Sequence, residues 1–234
     1  MLRRGVVPMR NKIFSWLGRE FVTLLCEGAP GKSATEQLAG IFKRSAAAVS
    51  GMGLGLDQVV RTRLWARDRE SRDLASSERA RTLVGSARSA SSSFIAPDHF
   101  DSEALAALDL LIMRPARANA AKTLKEYEPA ITPLRYLIYD SVVFLSGVTA
   151  VLPDLESQVA DIIPRISESL ADAGTSWEKV VKTSFFLHRS QRVEDMRRLF
   201  HARVSAAVPR LEYEFVDGYS SAGKLVEIEV TARL

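Results

Sequence analysis

Between Leu155 and Leu170 apolar residues recur at helical spacing. Leu155, Val159, Ile162, Ile163, Ile166 and Leu170 fall on one face, with polar residues between them. The pattern predicts a helix, with Gly174 ending it. Pro164 removes one backbone bond inside that helix, to Ala160, and predicts a kink. The next segment, EKVVKTSFFLHR, is β-branched and aromatic and predicts a strand. RVEDMRRLFHARVSAAVP predicts a second helix with Met196, Leu199, Phe200 and Val204 inward, closed by Pro209. Ahead of the first helix, RYLIYDSVVFLSGVTAV gives two short strands split at Asp140–Ser141. At the C-terminus, VPRLEYEFVDGYSSAGKLVEIEV reads as a hairpin around a Gly/Ser turn. In its second strand Val226, Ile228 and Val230 alternate with Glu227 and Glu229, which puts both carboxylates on one face. The order is ββαβαββ, and helices packed on one sheet face give a two-layer α+β sandwich.

The same grammar occurs twice. A shift of 121 residues aligns Glu36–Trp65 with Ser157–Phe186 without a gap, and identities include Gln37/Gln158, Arg44/Arg165, Gly53/Gly174, Val59/Val180 and Thr62/Thr183. Two copies of one domain are therefore expected: residues 1–115, a linker at 116–130, and residues 131–234. In the first helix of the first copy Lys43 takes the place of Pro164.

A chain of 234 residues suits two domains of about 100–120 residues each. At 47% hydrophobic and 26% charged it is a folding composition, not a disordered one. The net charge of +4 is spread along the chain, which argues against a nucleic-acid partner. No apolar run approaches about 18 residues, so no membrane-spanning helix is expected. MLRRGVVPM has too short an apolar stretch for a signal peptide. The lone Cys26 excludes an intrachain disulfide and suits a reducing cytoplasm; its apolar strand marks it as a core thiol. His99, His188 and His201 lack metal-ligand spacing and read as surface or cap residues, so no metal site is expected.

YDSVVFLSG, an amphipathic helix ending in AG, WEKVVKTSFFL and PRLEYEF…GKLVEIEV together resemble the Rid (YjgF-like) family of enamine/imine deaminases. The resemblance covers the second repeat and extends more weakly over the first. It implies two tandem chorismate-mutase-like domains and a homotrimer with ligand sites in clefts between neighbouring domains. It also implies hydrolysis of 2-aminoacrylate-type enamines, through their imines, to 2-keto acids and ammonia, with no metal or organic cofactor. By the same resemblance Arg210 binds the substrate carboxylate and Glu227 orients or activates water. The residue types suit those tasks: a guanidinium fork grips a planar carboxylate, and a carboxylate can take a proton from attacking water. From pattern alone, Arg210 and Glu227 read as a cross-strand ion pair; the resemblance turns the reading to a carboxylate-binding pocket. Glu229 reads as solvated or at a subunit contact.

The chain departs from the family pattern at several places. Leu134 stands where members carry a pocket tyrosine. Glu212, on the same strand face as Arg210, either neutralises it or serves as a second acid/base group. Arg197 replaces a helix asparagine and is either a solvated charge or a second anion contact. In the first repeat Arg88 holds the arginine position, but Ala107 falls opposite Glu227 and Asp109 opposite Glu229. That repeat is therefore either a degenerate copy kept for assembly or the lender of Arg88 to a composite site. The favoured function is hydrolysis of a small carboxylate-bearing imine, enamine or related metabolite. The alternatives are a non-catalytic carboxylate binder or scaffold and another hydrolase or lyase reaction on the same fold.

Overall fold

The computed structural model describes residues 9–117 and 119–234. The stretch tested above as a signal peptide lies outside the described residues but for Met9, as does Ala118 of the expected linker. The described residues form two compact units divided near residue 118, apart from residues 90–92, which group with the second.

The first unit contains β1 (Met9–Trp16), β2 (Arg19–Glu27), α1 (Ala34–Ser50), β3 (Val59–Ala66), α2 (Arg69–Thr82), β4 (Ala90–Ile95) and β5 (Ala106–Arg114). Its sheet order is β1-β2-β5-β3-β4. The second contains β6 (Lys122–Lys125), β7 (Tyr136–Tyr139), β8 (Val142–Leu145), β9 (Val148–Thr149), α3 (Leu155–Asp172), β10 (Val180–His188), α4 (Val193–His201), β11 (Leu211–Val216) and β12 (Val226–Arg233). Its sheet order is β11-β10-β12-β8-β7-β6, with β9 also on β12. The first unit is a ββαβαββ two-layer sandwich; the second has the same order with β6 added in front and its second strand divided into β8 and β9, so the chain is a tandem α+β protein.

The repeat identities have visible structural causes. Gln158 is fully buried: its amide nitrogen donates to the carbonyls of Leu152 (2.8 Å) and Gly223 (2.7 Å), and its oxygen accepts from Leu225 N–H (2.7 Å). Gln37 does the same in the first unit, donating to Lys32 O (2.9 Å) and accepting from Leu105 N–H (2.8 Å) and Ala106 N–H (3.1 Å). Each glutamine ties the start of its helix to the start of the last strand, and the three backbone groups satisfy the polar atoms of its own buried side chain. Gly53 and Gly174, at φ 68° and 77°, take the left-handed conformation just past α1 and α3.

Three expectations change. The C-terminal strands are not a hairpin: β11 runs parallel to β10 on one side, and β12 runs antiparallel to β10 on the other. The connecting loop crosses β10, held there by Tyr219, which is buried and donates its hydroxyl to Phe186 O at 2.9 Å. Lys122–Lys125, inside the segment read as a linker, is a strand paired antiparallel with β7. The helix expected to kink at Pro164 stays one element across it, with the proline on the exposed side.

The core of the second unit joins α3 and α4 to one sheet face through Phe185, Leu187, Val226, Ile228 and Val230. By strand alternation the opposite face carries Ser184, Phe186, Glu212, Glu227 and Glu229. That opposite face holds the candidate chemistry.

Candidate functional site

β12 lies beside β10, where Glu227 pairs with Phe186 and Glu229 with Ser184. Both carboxylates are buried, Glu227 at 6% exposure and Glu229 at 1%, so Glu229 is not a solvated charge. On the other side of β12, Glu227 pairs with Thr149, Ile228 with Val148, and Thr231 with Phe144. Between the last two pairs, Glu229 and Val230 face three residues, Leu145, Ser146 and Gly147. The extra residue is a β-bulge that breaks the strand into β8 and β9. A Cβ on Gly147 would lie 1.9 Å from Glu227 Oε1 and 2.5 Å from its carboxyl carbon. The carboxylate is thus pressed against backbone that only glycine leaves open.

The first unit lacks this arrangement. Its β2 runs unbroken from Arg19 to Glu27, and Ala107 pairs with Trp65 as Glu227 pairs with Phe186. Asp109 occupies the place of Glu229 and accepts the Trp65 indole N–H at 2.9 Å.

Arg210 directly precedes β11, and its carbonyl accepts from Thr183 N–H at 2.9 Å. Its guanidinium, 62% exposed, sits 2.6 Å from Glu212 Oε1. Lys182 Nζ holds the other Glu212 oxygen, also at 2.6 Å, and Ser184 Oγ donates to it at 3.4 Å. Arg210 is therefore present and turned toward solvent, and its partner is Glu212, not Glu227. Register puts Arg210 level with Lys182 and Glu227 level with Phe186. Four residues of β10 separate them, about 13 Å along the strand.

Arg197 lies elsewhere. Its guanidinium is 5.7 Å from the Tyr213 ring centre, and Tyr213 stacks on Phe185 at 5.0 Å on the helix-covered face. Arg88, in the first unit, is half-buried and caps a short turn before β4. Leu134 is buried and brings no polar group.

Tyr219 escaped notice in the sequence because it lies in what reads as a Gly/Ser turn. Burial, with the Glu227 charge added, pushes its phenol well above the usual range and keeps it a donor. His99 also differs from a surface reading: it stacks on Trp65 at 4.0 Å, and burial lowers its pKa to about 4. Cys26 is a buried thiol whose pKa burial raises. Among the described residues no group of three or more His, Cys, Asp or Glu is placed to hold a metal ion. Nor is any helix among them long and apolar enough to cross a membrane.

Topology and site together define a tandem α+β protein whose second unit carries the buried strand carboxylate. The Endoribonuclease L-PSP family profile matches residues 117–234, half of the chain, and the chain belongs to that family, the YjgF/Rid group. The match begins before β6, the strand inside the expected linker. Among solved structures, a YjgF-family member from Mycobacterium tuberculosis is 24% identical over 49% of this chain and 100% of its own, with a TM-score of 0.45. A Rid-family protein of unknown function from Yersinia pestis gives the same four values. A chorismatase crystal structure is 16% identical and covers 94% of this chain and 79% of its own, with a TM-score of 0.57. At that identity it shows a shared fold over both repeats. No curated protein sequence matches the chain.

Proposed function

We propose that the second unit hydrolyses an imine, an enamine in its imine form, or a related small carboxylate-bearing metabolite, releasing a keto acid and ammonia without a cofactor. The observation that carries this reading is the Glu227 carboxylate, buried over Gly147 at a bulge that the first unit lacks. Bulges recur beside active sites because they re-aim side chains. Glu227 takes a proton from water as the oxygen bonds to the imine carbon and the C=N electron pair moves to nitrogen. The carboxyl group returns that proton to the nitrogen, giving a carbinolamine; the same group then moves the hydroxyl proton to the nitrogen as the C=O bond forms, the C–N bond breaks and ammonia leaves. An imine carbon is already electrophilic, so positioning supplies much of the rate.

Arg210 is the carboxylate clamp of this reading. Its guanidinium is held by Glu212 within its own unit, and about 13 Å of strand separates its backbone from that of Glu227. The reading takes the arginine from a neighbouring copy in a homotrimer, and light scattering should give three chain masses; a clean monomer at low micromolar concentration rejects it. The first repeat, with Ala107 in the glutamate position, serves assembly. Arg88→Ala then leaves turnover nearly intact where Arg210→Ala abolishes it. A cytoplasmic location belongs to the same reading.

A second reading, a non-catalytic binder of small carboxylates, is favoured by the hold of Glu212 on both Arg210 and Lys182. The two are separated by generating 2-aminoacrylate or 2-iminobutanoate in situ and following keto-acid release. Acceleration over buffer supports the hydrolase. No acceleration, with Arg210-dependent binding of a 2-keto acid, supports the binder.

A further inference from the structure

The turn after β6 faces the middle of α3 across a cavity of about 380 Å³ inside the second unit. Its walls include Tyr127, Glu128, Arg135, Val148, Arg165 and Glu168. None of these residues belongs to the hydrolytic site proposed above.

Arg135 is engaged: its Nε donates to Ser169 Oγ at 2.9 Å, and its Nη2 lies 2.9 Å from Glu168. Arg165 is engaged on one nitrogen only. Its Nη1 donates to Thr149 O at 3.0 Å and Asp161 Oδ2 at 2.9 Å, which leaves Nε and Nη2 without a partner among the described residues. The Tyr127 hydroxyl and the Glu128 carboxylate likewise have none among them. Burial raises the Tyr127 pKa, Arg165 and Arg135 lower it and the Glu227 charge raises it, so the phenol lies within electrostatic reach of both guanidiniums and of Glu227. One cavity thus presents a guanidinium edge, a phenol donor and a carboxylate, beside the apolar Val148 and the Tyr127 ring.

We propose that this cavity binds an α-amino acid with an apolar side chain, as its zwitterion. Arg165 and Tyr127 donate to the ligand carboxylate, Glu128 accepts from the ammonium, and Val148 and the Tyr127 ring receive the side chain. A simple anion satisfies only half of this set, because the surrounding carboxylates of Glu128, Glu168 and Asp161 oppose it. A simple amine leaves Arg165 and Tyr127 unmatched. A volume near the lower end of ordinary ligand pockets, about 300–1,000 Å³, suits a molecule of this size.

Titration calorimetry on the full chain tests the assignment with L-leucine, L-valine and L-methionine. 4-Methyl-2-oxopentanoate and isoamylamine are the matched ligands lacking the ammonium and the carboxylate. The amino acids should bind one per chain, with each matched ligand at least about tenfold weaker. Arg165 also anchors α3 to Thr149, so Tyr127→Phe and Glu128→Gln are the variants of choice; each should weaken amino-acid binding about tenfold or more. Arg210→Ala, at the far edge of the sheet from β6, should leave it unchanged, which separates this site from the Arg210 carboxylate clamp. No heat with any of the three amino acids up to about 10 mM overturns the proposal. So does keto-acid binding as tight as leucine in the Arg210→Ala chain, where the other carboxylate site is removed, or binding indifferent to both variants.

Discussion

Glu212→Thr removes the carboxylate that holds Arg210 and Lys182, each at 2.6 Å. Folding should hardly register the change. The Arg210 side chain is 62% exposed and Glu212 32%, the regime in which an ion pair contributes about 0.2–1 kcal/mol. Threonine also suits a strand position at a sheet edge. Ligand binding should register it strongly, because a carboxylate ligand must displace Glu212 before it reaches the guanidinium. Removing that competitor exposes a charge-assisted contact of about 1.5–3 kcal/mol, so affinity for 2-oxobutanoate should rise about ten- to a hundredfold. The gain should shrink as salt is added, since the site is exposed. Calorimetry at low and high salt measures it, with thermal unfolding run in parallel. Adding Arg210→Lys to Glu212→Thr should return most of the gain, because lysine keeps the charge and loses the planar fork. Equal affinity in wild type and Glu212→Thr, or a gain that survives Arg210→Lys, refutes the role assigned to Arg210.

Gly147→Ala places a methyl group 1.9 Å from Glu227 Oε1, so keto-acid release should fall at least about tenfold while far-UV circular dichroism stays native. Gln158→Leu removes three hydrogen bonds made by a fully buried side chain, at about 0.5–1.5 kcal/mol each, and urea unfolding should show a loss of about 2 kcal/mol or more. His99 has a folded pKa of about 4, below its ordinary 6.5, so the unfolded chain binds its proton more readily between those values. Stability is therefore fully present above pH 6.5 and falls by about 3 kcal/mol as pH drops to about 4. His99→Phe should keep the stack on Trp65 and flatten that part of the pH profile.

What the sequence shows depends on the range over which each cause acts. The helix faces of α3 and α4 were legible because burial imprints a local period, and Met196, Leu199 and Phe200 are all inward; α4, however, ends at His201, so Val204 is buried beyond the helix expected to run on to Pro209. Gly53/Gly174 and Gln37/Gln158 were legible as identities, though the triple hydrogen bonding of the glutamines needed the fold. Strand alternation placed Arg210 and Glu212 on one face, and they do pair. It could not name the neighbour of β11, since alternation fixes which way a side chain points and not which strand lies alongside. That is why a parallel partner of β10 read as half of a hairpin. β6 escaped because Lys-Thr-Leu-Lys carries little strand signal and owes its form to pairing with β7. The bulge at Gly147 was equally silent: it is a mismatch of register between distant segments. Alternation put Glu229 beside Glu227, but its burial comes from tertiary packing, which a period of two does not encode.

The central claim is that Glu227 handles the proton of the attacking water. Comparing wild type with Glu227→Gln, in keto-acid release from 2-iminobutanoate and in binding of 2-oxobutanoate, tests it most directly. Glutamine keeps the shape and an acceptor oxygen but takes no proton, so turnover should collapse while binding survives. Turnover in Glu227→Gln equal to that of wild type contradicts the account.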